Sequence, residues 1–260
     1  MKDESESLQS KATEDHLTLE VDKQLEAAEK VYHILQEGIQ EWQEEDHPAL
    51  AQWTPKFSAR PYFTLGDLPE GPVLELWQRL NECMGVEVSP EALAKDIREF
   101  KEGRKLPDQE MLTRLSFAFS GVAGWLRKRL PEPALHAAEE GWQQAVCPVC
   151  GEDTRLSLLI PPVGKRELYC RICGHTWPGK RVGCIICGSE NASSQTYLHS
   201  PEFPGLEIAV CEECGEYFKE IDLRTRSTED LVWEDVRTLP LNYAAEQWLA
   251  KQASEKGSLQ

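Results

Sequence analysis

The chain has 260 residues, with 45 acidic against 28 basic side chains and a formal net charge of −17. That length supports a sizeable core and one to three domains; that charge repels phosphate backbones, which argues against a general nucleic-acid binder. No apolar run reaches the ~18 residues of a membrane-crossing helix, and Met1–Leu19 lacks the basic start and apolar middle of an export signal, so a cytoplasmic protein with no membrane insertion is expected.

Residues 1–19, rich in Glu, Asp and Ser with few apolar anchors, are expected to be disordered. From Val21 to about Glu44, Leu25, Ala28, Tyr32, Leu35, Ile39 and Trp42 recur at three- and four-residue steps, which predicts an amphipathic helix packed on a core. Pro48, Pro55, Pro61, Pro69 and Pro72 then predict a largely irregular connection, with a short helix near Ala49–Trp53. Pro72 suits the first turn of a helix carrying Leu74, Trp77 and Leu80. Ser89-Pro90-Glu91 reads as the N-cap, N1 and N2 of another, ending near Phe100. Pro107 opens a long helix stopped near Leu130 by Pro131 and Pro133, and a last one runs from about Pro133 to Gln144. Residues 20–145 thus read as an all-α domain of five or six helices.

The pattern changes at Cys147. Arg155–Ile160, Glu167–Tyr169, Thr196–His199, Ile208–Val210 and Tyr217–Ile221 are short, partly β-branched segments between turns, expected as small hairpins. After Asp222 helical spacing returns in Leu231, Val236 and Leu239, then in Leu241 to Leu249 beyond a break at Pro240. The expected organisation is α+β and multidomain: an acidic N-terminus (1–19), an all-α domain (20–145), two small zinc-ribbon-like four-cysteine modules (146–182 and 183–222) and a C-terminal helical segment (223–260).

Eight of the nine cysteines lie in four copies of Cys-x-x-Cys-Gly: Cys147–Cys150, Cys170–Cys173, Cys184–Cys187 and Cys211–Cys214. Two such words bring four thiolates to one tetrahedral ion, the donor set expected of zinc or a single iron. The glycine after each second ligand lets the chain turn at positive φ. In a non-exported chain, this spacing reads as reduced ligands rather than disulfides. A ribbon of this size cannot bury enough apolar surface to fold unaided; a structural zinc contributes about 10–16 kcal/mol, as much as the whole stability of an ordinary domain. Sequential pairing groups Cys147, Cys150, Cys170 and Cys173 on one ion and Cys184, Cys187, Cys211 and Cys214 on the other, with residues 174–183 as linker; interleaved and nested pairings remain open.

Other chemistry is weakly signalled. No βαβ pattern surrounds any Cys-x-x-Cys as in a thioredoxin, and four thiolates leave no open position for a catalytic water. No nucleophile elbow, phosphate loop or HExxH is present, so no catalytic or organic-cofactor residue is assigned and the chain reads as a non-enzyme. His175 and His199 are expected in exposed turns, His33 as a structural histidine and Cys83 as a small core residue. Lys165, Arg166, Arg171, Lys180 and Arg181 read either as a solvated patch or as a docking face for an acidic partner. The tryptophans Trp42, Trp53, Trp77, Trp125 and Trp142 read as core, with one or two as contact anchors.

The sequence around the knuckles resembles the formate dehydrogenase accessory proteins of the FdhE family. The resemblance rests on Cys147-Pro148-Val149-Cys150-Gly151, on Glu167–Cys173 with Trp177 and Arg181-Val182-Gly183-Cys184, on Cys211–Lys219, and on Glu229–Ala245; it is specific over about residues 142–245. It implies a helical domain followed by two rubredoxin-like modules, and a cytoplasmic assembly factor that binds the catalytic subunit of a formate dehydrogenase and is needed for its activity. It also implies iron on the eight paired cysteines, although zinc satisfies the same ligands. Monomer or homodimer is left open. The alternatives are a zinc-ribbon nucleic-acid module, resting on the basic residues of the first ribbon, and a rubredoxin-like electron carrier or redox sensor.

Overall fold

The computed structural model describes residues 3–104 and 108–257, with side chains for 23–104 and 108–254. Helix α1 runs from Asp3 to Glu44. Its first turns fall in the segment 1–19 expected to be disordered, whose side chains lie outside the described residues. Where side chains are described, the expected stripe is buried at Tyr32, Leu35, Ile39 and Trp42, while Leu25 is exposed.

Five further helices complete the helical half: α2 (Pro48–Ala51), α3 (Glu70–Cys83), α4 (Pro90–Lys101), α5 (Gln109–Lys128) and α6 (Glu132–Glu139). Ser89 caps α4 by accepting from the N–H of Ala92. Pro107, expected to open α5, lies outside the described residues. The cap is Asp108, whose carboxylate accepts from the N–H groups of Glu110 and Met111. Helices α1, α3 and α5 pack on one another, closely enough that a Cβ on Gly121 would stand 2.5 Å from Leu76 Cδ2.

The proline-rich connection is irregular, yet it is not a loose loop. Tyr62, Phe63 and Leu68 are buried. Tyr62 Oη donates to the Ala134 carbonyl, and the Arg60 guanidinium donates to those of Ala138 and Glu140. Phe63 N–H donates to the Val149 carbonyl at 3.1 Å, tying the connection to the first cysteine knuckle.

The hairpin segments become β1 (Leu156–Ile160), β2 (Lys165–Tyr169), β4 (Gln195–His199), β5 (Leu206–Cys211) and β6 (Glu216–Asp222), joined by an unanticipated β3 (Thr176–Pro178). They form one six-stranded sheet in the order β3-β2-β1-β6-β5-β4. β1 lies parallel to β6, with Leu158 opposite Ile221; the neighbouring pairs are antiparallel. The two four-cysteine units are therefore halves of a continuous sheet rather than beads on a linker, and part of the expected linker is β3.

Side chains alternate across this sheet. Leu168, Trp177, Ala209 and Phe218 join the helical core, and Leu156, Leu158, Leu206, Ile208, Val210 and Ile221 form a second core with Leu241 and Ala245. Those last two residues belong to α8 (Leu239–Gly257), which follows α7 (Leu231–Arg237). The break between the helices is at Thr238, and Pro240 sits in the first turn of α8, where proline is tolerated. Among the described residues no helix is long and apolar enough to cross a membrane.

Candidate metal centres

Each Cys-x-x-Cys-Gly word folds into the same knuckle. The glycine N–H donates to the carbonyl of the first cysteine at 2.9–3.0 Å in all four. Gly151, Gly174, Gly188 and Gly215 have φ between 70 and 77°, where a Cβ carries a steric penalty. In three knuckles the first cysteine's N–H also donates to the carbonyl five residues on, from Cys147 to Glu152, Cys170 to His175 and Cys184 to Ser189.

The knuckles meet in sequential pairs. Cys147, Cys150, Cys170 and Cys173 form one cluster and Cys184, Cys187, Cys211 and Cys214 the other, with the sulfurs of each within 4.8 Å of one another. In the first, Cys147 Sγ lies 3.6 Å from Cys173 Sγ and Cys150 Sγ 3.4 Å from Cys170 Sγ. In the second, the Cys184–Cys214 and Cys187–Cys211 distances are both 3.8 Å. A metal–sulfur bond of about 2.3 Å places tetrahedral sulfurs ~3.8 Å apart, so both clusters have the size of a tetrathiolate shell, and the chain is suited to hold two metal ions. None of these cysteines is in a disulfide.

The electrostatics point the same way. Contacts with Cys147, Cys150 and Cys173 hold the Cys170 thiol far below the ordinary thiol range; contact with Cys147 pushes Cys150 far up, and burial pushes up Cys173. Four sulfurs this close ionise together only around a cation, which also neutralises their mutual repulsion. In the second cluster burial acts to raise the Cys211 thiol. The N–H of Cys214, the Gln195 amide and the N–H of Glu213 outweigh it, bringing the group down to about 7. Gln195 Nε2 lies 3.3 Å from Cys211 Sγ.

The centres are seated differently. All four cysteines of the first belong to the helical core. In the second, Cys184 and Cys211 are buried, Cys214 is half-buried and Cys187 is exposed.

Two networks of buried charge cross between the units. Arg166 of β2, 1% exposed, donates to Glu220 of β6 at 2.6 Å and to the carbonyl of Gly183, the residue before Cys184. Arg171, between the ligating positions of a first-centre knuckle, donates to Asp235 of α7; the other oxygen of Asp235 accepts from the buried Lys219 of β6 at 2.8 Å. The expected basic patch is thereby largely neutralised, since Lys165 pairs with Glu167 and Lys180 with Glu190 as well.

Several sequence expectations need correction. His175 is buried, not in an exposed turn: both ring nitrogens lack a hydrogen-bond partner, burial brings the group down to about 4, and the Glu139 carboxylate is 3.6 Å away. His33 is an exposed residue beside Glu29 rather than a structural histidine, and only His199 is exposed as expected. Cys83 is exposed at the end of α3, not core, although its sulfur lies near Gly38. Of the tryptophans, Trp42, Trp77 and Trp125 are buried, and Trp53 and Trp142 pack partly buried against the core.

No family model matches the chain. Among curated proteins it is 34% identical over 116 residues to the Protein FdhE homolog of Aquifex aeolicus, covering 43% of this chain and 41% of that one. It is 26% identical over 190 residues to Protein FdhE of Escherichia coli, covering 66% of this chain and 61% of that protein. These matches support an assignment to the FdhE family. The crystal structure of the FdhE protein from Pseudomonas aeruginosa superposes with a TM-score of 0.62 at 18% identity, covering 84% of this chain and 82% of that one, a likeness of fold. The chain spans less than two thirds of the length of these two curated relatives, although the fold match reaches across both halves.

Proposed function

We propose that this chain is a cytoplasmic accessory protein, not an enzyme, that binds the catalytic subunit of a formate dehydrogenase and is needed for its maturation. The similarity to FdhE proteins carries the reading, and the geometry is consistent with it: the sulfur clusters have the size of closed four-thiolate shells, which offer no open coordination position to a substrate. Cys147, Cys150, Cys170 and Cys173 would hold one ion and Cys184, Cys187, Cys211 and Cys214 the other. The ion is iron on the family resemblance, or zinc. Iron so held would add a reversible one-electron couple; zinc would supply shape alone. The test is capture of a formate dehydrogenase catalytic subunit by the tagged protein, with formate oxidation measured in cells lacking the gene. Capture and loss of oxidation are expected; unchanged oxidation would refute the reading.

A second reading, a rubredoxin-like electron carrier, is favoured by the exposed Cys187. It requires iron that cycles between two oxidation states, and an as-isolated protein holding only zinc would exclude it. The nucleic-acid reading loses support from the ion pairs that occupy Lys165, Arg166, Arg171 and Lys180.

A further inference from the structure

The two sulfur clusters are alike in size and opposite in access. A Cβ on Gly151, in the first, would stand 2.9 Å from Pro61 Cγ and 3.5 Å from Thr64 Cγ2, so the irregular connection lies directly over that knuckle. On another side Gly124 of α5 lies against the Cys173 carbonyl. A crevice of about 620 Å³ reaches Cys173 and Gly174 from between α1 and α5, yet Cys173 keeps only 3% of its surface. In the second cluster the corresponding positions are open. A Cβ on Gly188 or Gly215 would meet nothing within 4 Å, and the neighbouring Cys187 is exposed.

From this asymmetry we infer that the second cluster is a ligand-exchange site for external thiols, while the first holds its ion far longer. The inference rests on the reading that both clusters carry metal. Cys187 is the ligand that gives way. As the sulfur of an incoming thiol bonds to the ion, the bond to Cys187 Sγ breaks, and the proton of the incoming thiol passes to Cys187. Four sulfurs still surround the ion, and no electron changes hands. Cys184 and Cys211, buried beneath, keep the ion on the protein during the exchange. The first cluster offers no such edge, because each of its sulfurs belongs to a buried residue and an incoming thiol would first have to lift the connection from Gly151 or part the helical core.

The test uses full-length zinc-loaded protein carrying Cys83→Ser, which removes the exposed thiol outside the clusters. Zinc transfer to a chromogenic chelator is followed at increasing glutathione, and the thiols exposed are trapped with N-ethylmaleimide and located by peptide mass mapping. Two phases of one zinc each are expected, the first at least about tenfold faster than the second, linear in glutathione, and accompanied by labelling of Cys187 and Cys214 before any of Cys147, Cys150, Cys170 or Cys173. Cys187→Ser should remove the fast phase and leave the slow one, and the labelling order in the parent protein stands as evidence whether or not that variant folds. A single phase, a fast phase independent of glutathione, or first labelling at the Cys147–Cys173 cluster would overturn the inference. Uptake of fewer than two zinc ions by the parent protein would instead overturn the reading beneath it.

Discussion

Gly183 illustrates how a single backbone position governs a centre. Its φ is +95°, and a Cβ there would stand 2.3 Å from the Ser189 carbonyl oxygen, the acceptor of the Cys184 N–H. Positive φ alone costs a β-carbon about 1–2 kcal/mol, and overlap with backbone adds ~1–3 kcal/mol. Gly183→Ala should therefore weaken zinc at the second centre by at least about tenfold, since 1.4 kcal/mol is a factor of ten, as read by competition with a chelator of known affinity. Gly85→Ala, at φ +68° with nothing within 4 Å, tests the conformational penalty alone and should leave both affinities unchanged. The glycines after each knuckle were legible because a repeated word announces them. Gly183 was not, because its constraint comes from Ser189, whose position depends on the folded turn. His175 was illegible for the same reason: its burial is made by β3 and the helical core, not by its neighbours in sequence.

Among the elements, the helices were the most readable, since three- and four-residue spacing and caps such as Ser89 are local signals. β3, three residues long, is too short to carry a period. Arg166 and Arg171 were read as part of a solvated patch or of a docking face, because an arginine gives no sequence sign that its partner lies tens of residues away. Their energetic consequence is large. Arg166→Met leaves Glu220, with a side chain only 4% exposed, without its cation, and breaking a buried pair costs about 3–5 kcal/mol. Chemical denaturation of Arg166→Met should show a loss of that size, and the double variant Arg166→Met/Glu220→Leu should recover most of it, because an apolar pair leaves no orphaned charge. An equal loss in the double variant would mean that the donations from Arg166 to the Lys180 and Gly183 carbonyls, not the ion pair, hold the strands. In the helical half, Gly121→Ala forces a methyl against Leu76 and Ile39. Overpacking of this kind costs about 1–3 kcal/mol and should lower the denaturation midpoint without changing the slope, which reports the surface exposed.

At the scale of the whole molecule, the distinguishing feature is the parallel pairing of β1 with β6, which fuses two knuckle pairs into one sheet between two cores. Sequence reading found both pairs but placed them as successive modules, because a parallel contact between segments some sixty residues apart leaves no local trace. Since the first-centre cysteines sit in the helical core, the metal's influence should extend beyond the ribbon. Stripping it with chelator and mild acid should abolish the strand signal in circular dichroism and lower the melting temperature of the helical signal as well. Helices that melt unchanged would mean that their core closes without the first centre. Beneath all of this lies the premise that eight sulfurs grip two ions. Elemental analysis of the purified protein, paired with a thiol count under denaturing, metal-free conditions, tests it most directly. Two ions of zinc or iron per chain and nine free thiols are expected, falling to one ion in Cys187→Ser; a metal-free native protein, or one whose knuckle cysteines are found as cystines, would contradict it.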